Sequence, residues 1–176
     1  ALQLAGRKIS PESAEAILAQ INKIPLPCPK IVPFNDLAQK FKELEGVVIG
    51  GNLALLQCSV GTFWQLKGKN KVILIEEVHE RGYQVDRMLT HLYHAGIFNK
   101  AKAVLLGDFV GGEEKNGKCF VGPVLERFAR NIRVPVFRIP KVGHGYENFP
   151  VPLNSPISLE VDIGAVPGSV DASVSN

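Results

Sequence analysis

The sequence predicts a mixed α/β layered domain, and three observations point there. Short apolar runs at 72–75 (Val-Ile-Leu-Ile) and 103–106 (Ala-Val-Leu-Leu) have the length and branching of strands buried on both faces. An amphipathic stretch at 85–95 lies between them, with Val85, Met88, Leu89 and Leu92 on one helical face, and a second helical stretch follows at 121–130. The 176 residues, 45% hydrophobic and 21% charged, suffice for one core of ordinary globular composition. Strands and helices alternating through the middle, with strand-rich flanks, favour layers.

Taken in order, the chain opens on a helix that Ser10 caps, with Pro11 in its first turn and Glu12 at the positive end of its dipole. Ala14, Ile17, Leu18 and Ile21 then share one face. Residues 23–33 contain Pro25, Pro27, Pro29 and Pro33, which demand an extended connector. A second short helix is expected over 35–44. A strand follows at 47–49, then a tight turn at Gly50-Gly51, then a short helix over 53–58 that Asn52 caps. Beyond the two buried strands, 111–118 reads as a polar hairpin-like loop, 134–138 as a strand and 157–161 as a last strand. The small, polar tail 164–176 is expected to fray. The implied division is a lead-in of helices and connector over 1–46, a main domain over 47–163 and the tail.

Several classes are disfavoured. A net charge of +3, with Lys and Arg scattered, is too small to argue for nucleic acid. No apolar run approaches the roughly 20 residues of a membrane helix. No secretory leader is recognisable, and a chain that does not begin with Met hints at missing upstream residues. Cys28, Cys58 and Cys119 are odd in number and widely spaced, which suits reduced thiols in a cytoplasmic protein. Neither GxGxxG nor GxxxxGK[ST] occurs, so a phosphate loop is not expected.

The candidate chemistry is sparse. Glu76 and Glu77 end the buried run 72–75. A carboxylate there is unfavourable unless solvated, paired or functional, and strand alternation sends the two to opposite faces. The plain alternative is a polar strand end; the functional one is a partner for a histidine. His144 sits between Gly143 and Gly145, and glycines give a loop the freedom to position such a group. A solvated loop histidine is the alternative. Its imidazole is suited to general-base work near neutral pH, with a carboxylate fixing the tautomer. His91 and His94 are three apart on a helix but lie off its apolar face, and no third metal ligand stands at a recognised spacing. His79 and Glu80 line a site or are solvated. Asp108, between Gly107 and Phe109, is a turn former or a site wall. Asp86 reads as a helix-start acid and Arg87 as a partner for Glu76 or Glu77. A nucleophile is not apparent. Ser59 has Gln57 where the first glycine of a Gly-x-Ser-x-Gly elbow belongs, and it follows a helix. Cys58 looks buried, Ser10 and Ser13 belong to a helix cap, and Ser155, Ser158, Ser169, Ser173 and Ser175 fall in late strands or the tail.

Several short motifs nonetheless combine in order: Gly50-Gly51-Asn52-Leu53, Leu55-Leu56, Gly61-Thr62, Ile73-Leu74-Ile75-Glu76-Glu77-Val78, Asp86-Arg87-Met88-Leu89, Gly107-Asp108-Phe109, Pro135-Val136, Gly143-His144 with Asn148, and Pro152-Leu153. From residue 47 to about 159 this set resembles the C-terminal domain of LD-carboxypeptidases, the muramoyl-tetrapeptide carboxypeptidases. Microcin-immunity serine peptidases are similar too. Asn154 departs from the glycine common after Pro-Leu, though asparagine tolerates the same backbone.

The resemblance implies a swivelling β/β/α-type C-terminal half of a two-domain serine peptidase. Glu76 and His144 would be the acid and base of a Ser-Glu-His triad whose serine lies in a missing N-terminal domain. Glu77 would not be catalytic. The implied activity is removal of the terminal D-alanine from murein tetrapeptides during cell-wall recycling in the cytoplasm, by a homodimer, without metal or cofactor. This chain alone would be inactive. The alternatives are a microcin-immunity-like peptidase, a non-catalytic binding module of the same fold, and a metallohydrolase using His91 and His94.

Overall fold

The computed structural model describes residues 10–22, 24 and 30–164. Its middle layer is a six-stranded mixed sheet, which bears out the expected α/β class. Strands β2 (Glu43–Asn52), β3 (Val72–Val78), β4 (Ala103–Val110) and β5 (Val136–Arg138) run parallel as neighbours. The edge strands β1 (Val32–Pro33) and β6 (Pro156–Glu160) are antiparallel, giving the order β1-β5-β4-β3-β2-β6. Pro33 is tolerated because it sits on an edge. Helix α1 (Pro11–Ile21) leads in, and α2 (Leu53–Cys58), α3 (Gly82–His94) and α4 (Val121–Asn131) occupy the three parallel crossovers.

Alternation along the buried strands divides the core in two. Ile73 and Ile75 of β3, with Val104 and Leu106 of β4, pack beneath α2, α3 and α4 against Leu53, Leu56, Val85, Met88, Leu89, Leu92, Leu125 and Ala129. Val72 and Leu74, with Ala103 and Leu105, face the other way, onto Leu44, Val48, Phe137, Ile139, Val142 and Leu159. Among the described residues no α-helix contributes to that second layer; β-strand side chains and connecting segments fill it, including Ile31, Ala38 and Phe41 from the lead-in. Both faces of β3 and β4 are therefore dry, as a continuous apolar run requires.

The structure revises several local expectations. The cap of α1 is as expected, with the Ser13 amide donating to Ser10 Oγ at 3.1 Å, but the buried residues are Ser13 and Ala16, while Leu18 and Ile21 are exposed. The helix expected over 35–44 is a single 3-10 turn, Ala38–Lys40. Two tertiary demands override it. The Asn35 amide group donates to the carbonyls of Ala129 and Val134, and its oxygen accepts from the Ala38 and Val136 amides, tying the segment to α4 and β5. Leu44 already lies in β2, opposite Leu159 and buried. Helix α3 starts at Gly82, one turn early, because the Gln84 side chain accepts the Arg81 amide. Cys58 is exposed, not buried. The loop over 111–118 is hairpin-like, closed by a bridge between Glu113 and Cys119. Residues 23 and 25–29 of the connector and 165–176 of the tail lie outside the described residues.

Gly50 and Gly51 form no turn; β2 runs straight through them to Asn52. Gly50 has φ +123°, and a Cβ there would sit 2.1 Å from the Leu74 carbonyl oxygen of the neighbouring strand. A Gly50→Ala variant is expected to lose about 3 kcal/mol of stability, read as a lower urea midpoint.

Candidate functional site

The alternation that builds the core also sorts the two glutamates. Glu77 continues the helix-facing row of Ile73 and Ile75, and Glu76 continues the row of Val72 and Leu74. Glu77 is 3% exposed and fully engaged: it accepts from Asn52 Nδ2 at 2.7 Å, the Ala54 amide at 2.8 Å and the Val78 amide at 2.8 Å. It thus anchors the N-terminus of α2, where a negative charge is favoured. Arg87 is exposed and does not take up the expected pairing with these carboxylates; Asp86, inside α3, pairs with Arg127 of α4 at 2.5 Å.

Glu76, 8% exposed at the carboxyl end of β3, meets His144. The imidazole Nδ1–H donates to Glu76 Oε2 across 2.5 Å, joining residues 68 apart in sequence. The Glu76 carboxyl is pushed above its ordinary value, first by burial; the attraction and hydrogen bond of His144 oppose this, and Glu77 and Asp108 add to it. With Nδ1–H so fixed, Nε2 is the nitrogen with a free lone pair, on a side chain 31% exposed. Such an imidazole can accept a proton from a hydroxyl brought to it, and the carboxylate beneath can stabilise the cation that results.

The loop that carries His144 is held on several sides. The Asp108 amide donates to the Val142 carbonyl at 2.7 Å, and the Lys141 amide to Asp108 Oδ1 at 3.3 Å. The Gly143 amide donates to Asn148 Oδ1 at 3.1 Å, the Asn148 amide to Ser13 Oγ at 2.8 Å, and the Ser10 amide to the Tyr146 carbonyl at 3.1 Å. Gly143 must be glycine: its φ is +146°, and a Cβ would stand 3.2–3.3 Å from the Cβ atoms of Asp108 and Glu76.

The other candidates fall elsewhere. His91 Nδ1 is 2.9 Å from Gln57 Nε2 on an exposed surface, and His94 stacks edge-on with Tyr93. His79 is an exposed residue with φ +65°, packed on Gly111. Among the described residues no group of three or more His, Cys, Asp or Glu is placed to hold a metal, and no helix is long and apolar enough to cross a membrane. Ser59 Oγ donates to the Leu56 carbonyl at 2.7 Å, buried, and Ser158 is bonded to Glu43. Ser13, expected in a helix cap, and Arg138, at the end of the expected strand 134–138, carried no functional signal in the sequence. One lies in the first turn of a helix and the other at a strand end, and only the fold brings them to the site.

The family model described as LD-carboxypeptidase C-terminal domain matches residues 45–159. A putative carboxypeptidase of Rickettsia conorii is 33% identical over 142 residues, which are 81% of this chain and 43% of that protein. The crystal structure of muramoyltetrapeptide carboxypeptidase from Oxalobacter formigenes aligns with a TM-score of 0.69 and 25% identity, over 90% of this chain and 54% of that one. A microcin C7 self-immunity protein shares the fold at a TM-score of 0.61 and 22% identity, over 78% of this chain and 40% of the other. The chain spans about half the length, or less, of each protein it matches.

Proposed function

The chain belongs to the LD-carboxypeptidase C-terminal domain family, and from that premise we propose that it supplies the glutamate and histidine of a serine peptidase that removes the terminal D-alanine from murein tetrapeptides. The observation that carries this reading is the hydrogen bond from His144 Nδ1 to Glu76 Oε2, with Nε2 free. A serine from an upstream domain would lie against Nε2. His144 would take its proton as the oxygen attacks the amide carbonyl, and would return that proton to the departing amine of D-alanine. Water, activated the same way, would then release the shortened peptide from the serine ester. Glu76 would fix the imidazole and balance its charge throughout. A cytoplasmic setting in cell-wall recycling and a homodimeric assembly belong to the same proposal.

Incubating a murein tetrapeptide with the intact protein, upstream domain included, should release D-alanine, and the 176-residue chain alone should release none. Release by the chain alone, or no release by the intact protein, overturns the reading. The fold shared with the microcin self-immunity protein supports a second substrate class. Preferential hydrolysis of an aminoacyl-adenylate analogue by the intact protein would favour it.

A further inference from the structure

We infer that Asp108 is a positioning residue for the Glu76–His144 pair, holding the histidine loop in place. This rests on the proposed catalytic role of that pair. The register of β3 against β4 slips at this point: Ile75 lies opposite Leu106, but Glu77 lies opposite Phe109. One residue of β3, Glu76, therefore faces two of β4, Gly107 and Asp108. Bulges of this kind re-aim a side chain, and here the re-aimed residue is Asp108. Segment 141–145 folds around it. The Asp108 amide holds the Val142 carbonyl, its Oδ1 accepts the Lys141 amide, and its Oδ2 is within 3.4 Å of a Cβ placed on Gly145. The glycines on both sides of His144 thus rest on Asp108, and Gly143 rests on Glu76 as well.

The charges around it fit the role. Arg138, at the end of β5, has Nη1 buried without a hydrogen-bond partner, and its guanidinium lies 5.8 Å from the centre of the Phe34 ring. Burial pulls Asp108 and Arg138 toward their neutral forms, and the charge of each opposes that pull on the other. Glu147, itself paired with Lys141, and Glu76 are the other charged groups acting on this cluster. Asp108 is itself among the groups that raise the Glu76 carboxyl.

Asp108→Asn keeps an acceptor for the Lys141 amide and removes the charge. In the intact protein kcat for D-alanine release should fall about 10- to 100-fold with KM unchanged, and the low-pH limb of the rate profile should move down. In this chain, carbon NMR of the Glu76 carboxyl should show a lower titration midpoint. A purely structural Asp108 would lower the melting temperature and leave midpoint and pH limb where the wild type has them, and that result overturns the inference. If Asp108→Asn unfolds, the doubly neutral Asp108→Asn/Arg138→Gln chain is read instead, with the same expected and overturning results. Failure of both to fold assigns Asp108 to stability and also overturns it. If the intact wild type releases no D-alanine, the proposed function fails, while the NMR midpoint still decides the role of Asp108.

Discussion

Glu76→Gln in the intact protein should lower kcat for D-alanine release by about 10⁴-fold, while making this chain no less stable at neutral pH. The amide still reaches His144 Nδ1, but it offers no charge to the imidazolium and can present N–H to the ring, which selects the wrong tautomer. The stability half follows from the raised Glu76 carboxyl. A group that binds its proton more readily folded than unfolded makes folding less favourable as pH climbs from the ordinary carboxylate value through the raised one. The wild type bears that penalty as its carboxyl ionises, and the glutamine variant does not. Calorimetry should therefore show the variant melting at or above the wild type at pH 7, with the difference shrinking as pH falls below 4.5. Retention of more than a tenth of wild-type kcat would remove Glu76 from the chemistry.

Glu77→Ala, one residue away, should do the reverse. It strips the acceptor from Asn52 Nδ2 and from the Ala54 and Val78 amides at a site 3% exposed. Unsatisfied buried donors are expensive, and a loss of about 3 kcal/mol is expected, read as a drop in the urea midpoint. Glu77→Gln keeps one acceptor oxygen and should lose less. Activity per folded molecule should survive both changes, because Glu77 faces α2 and not His144. A loss of kcat in Glu77→Gln at full folding would place it in the site after all.

The central layer was legible because its residues leave little choice. The runs at 72–75 and 103–106 are apolar at every position, and only a strand dry on both faces accommodates that. The same alternation correctly separated Glu76 from Glu77. The pairing of Glu76 with His144 was not legible from spacing, since they stand 68 positions apart; the ordered motifs suggested it. The errors share one cause. Gly50-Gly51 looks like a turn until β3 is laid beside it, and 35–44 looks helical until Asn35 finds α4 and β5 and Leu44 finds Leu159. Ser13 reads only as part of a helix cap because the loop it serves, through Asn148, lies 135 residues away. In each case a tertiary partner outweighed a local preference.

The docking of α1 on the His144 loop bears on the order in which the site is completed during synthesis. The ribosome delivers Ser10, Ser13 and Glu76 long before Tyr146, Asn148 and His144, their respective later partners. An unfinished chain can present the acid of the pair, but the imidazole loop is tied down only after the chain returns to the first turn of α1. On the proposed reading, a truncated product would be chemically silent even if its sheet had begun to form.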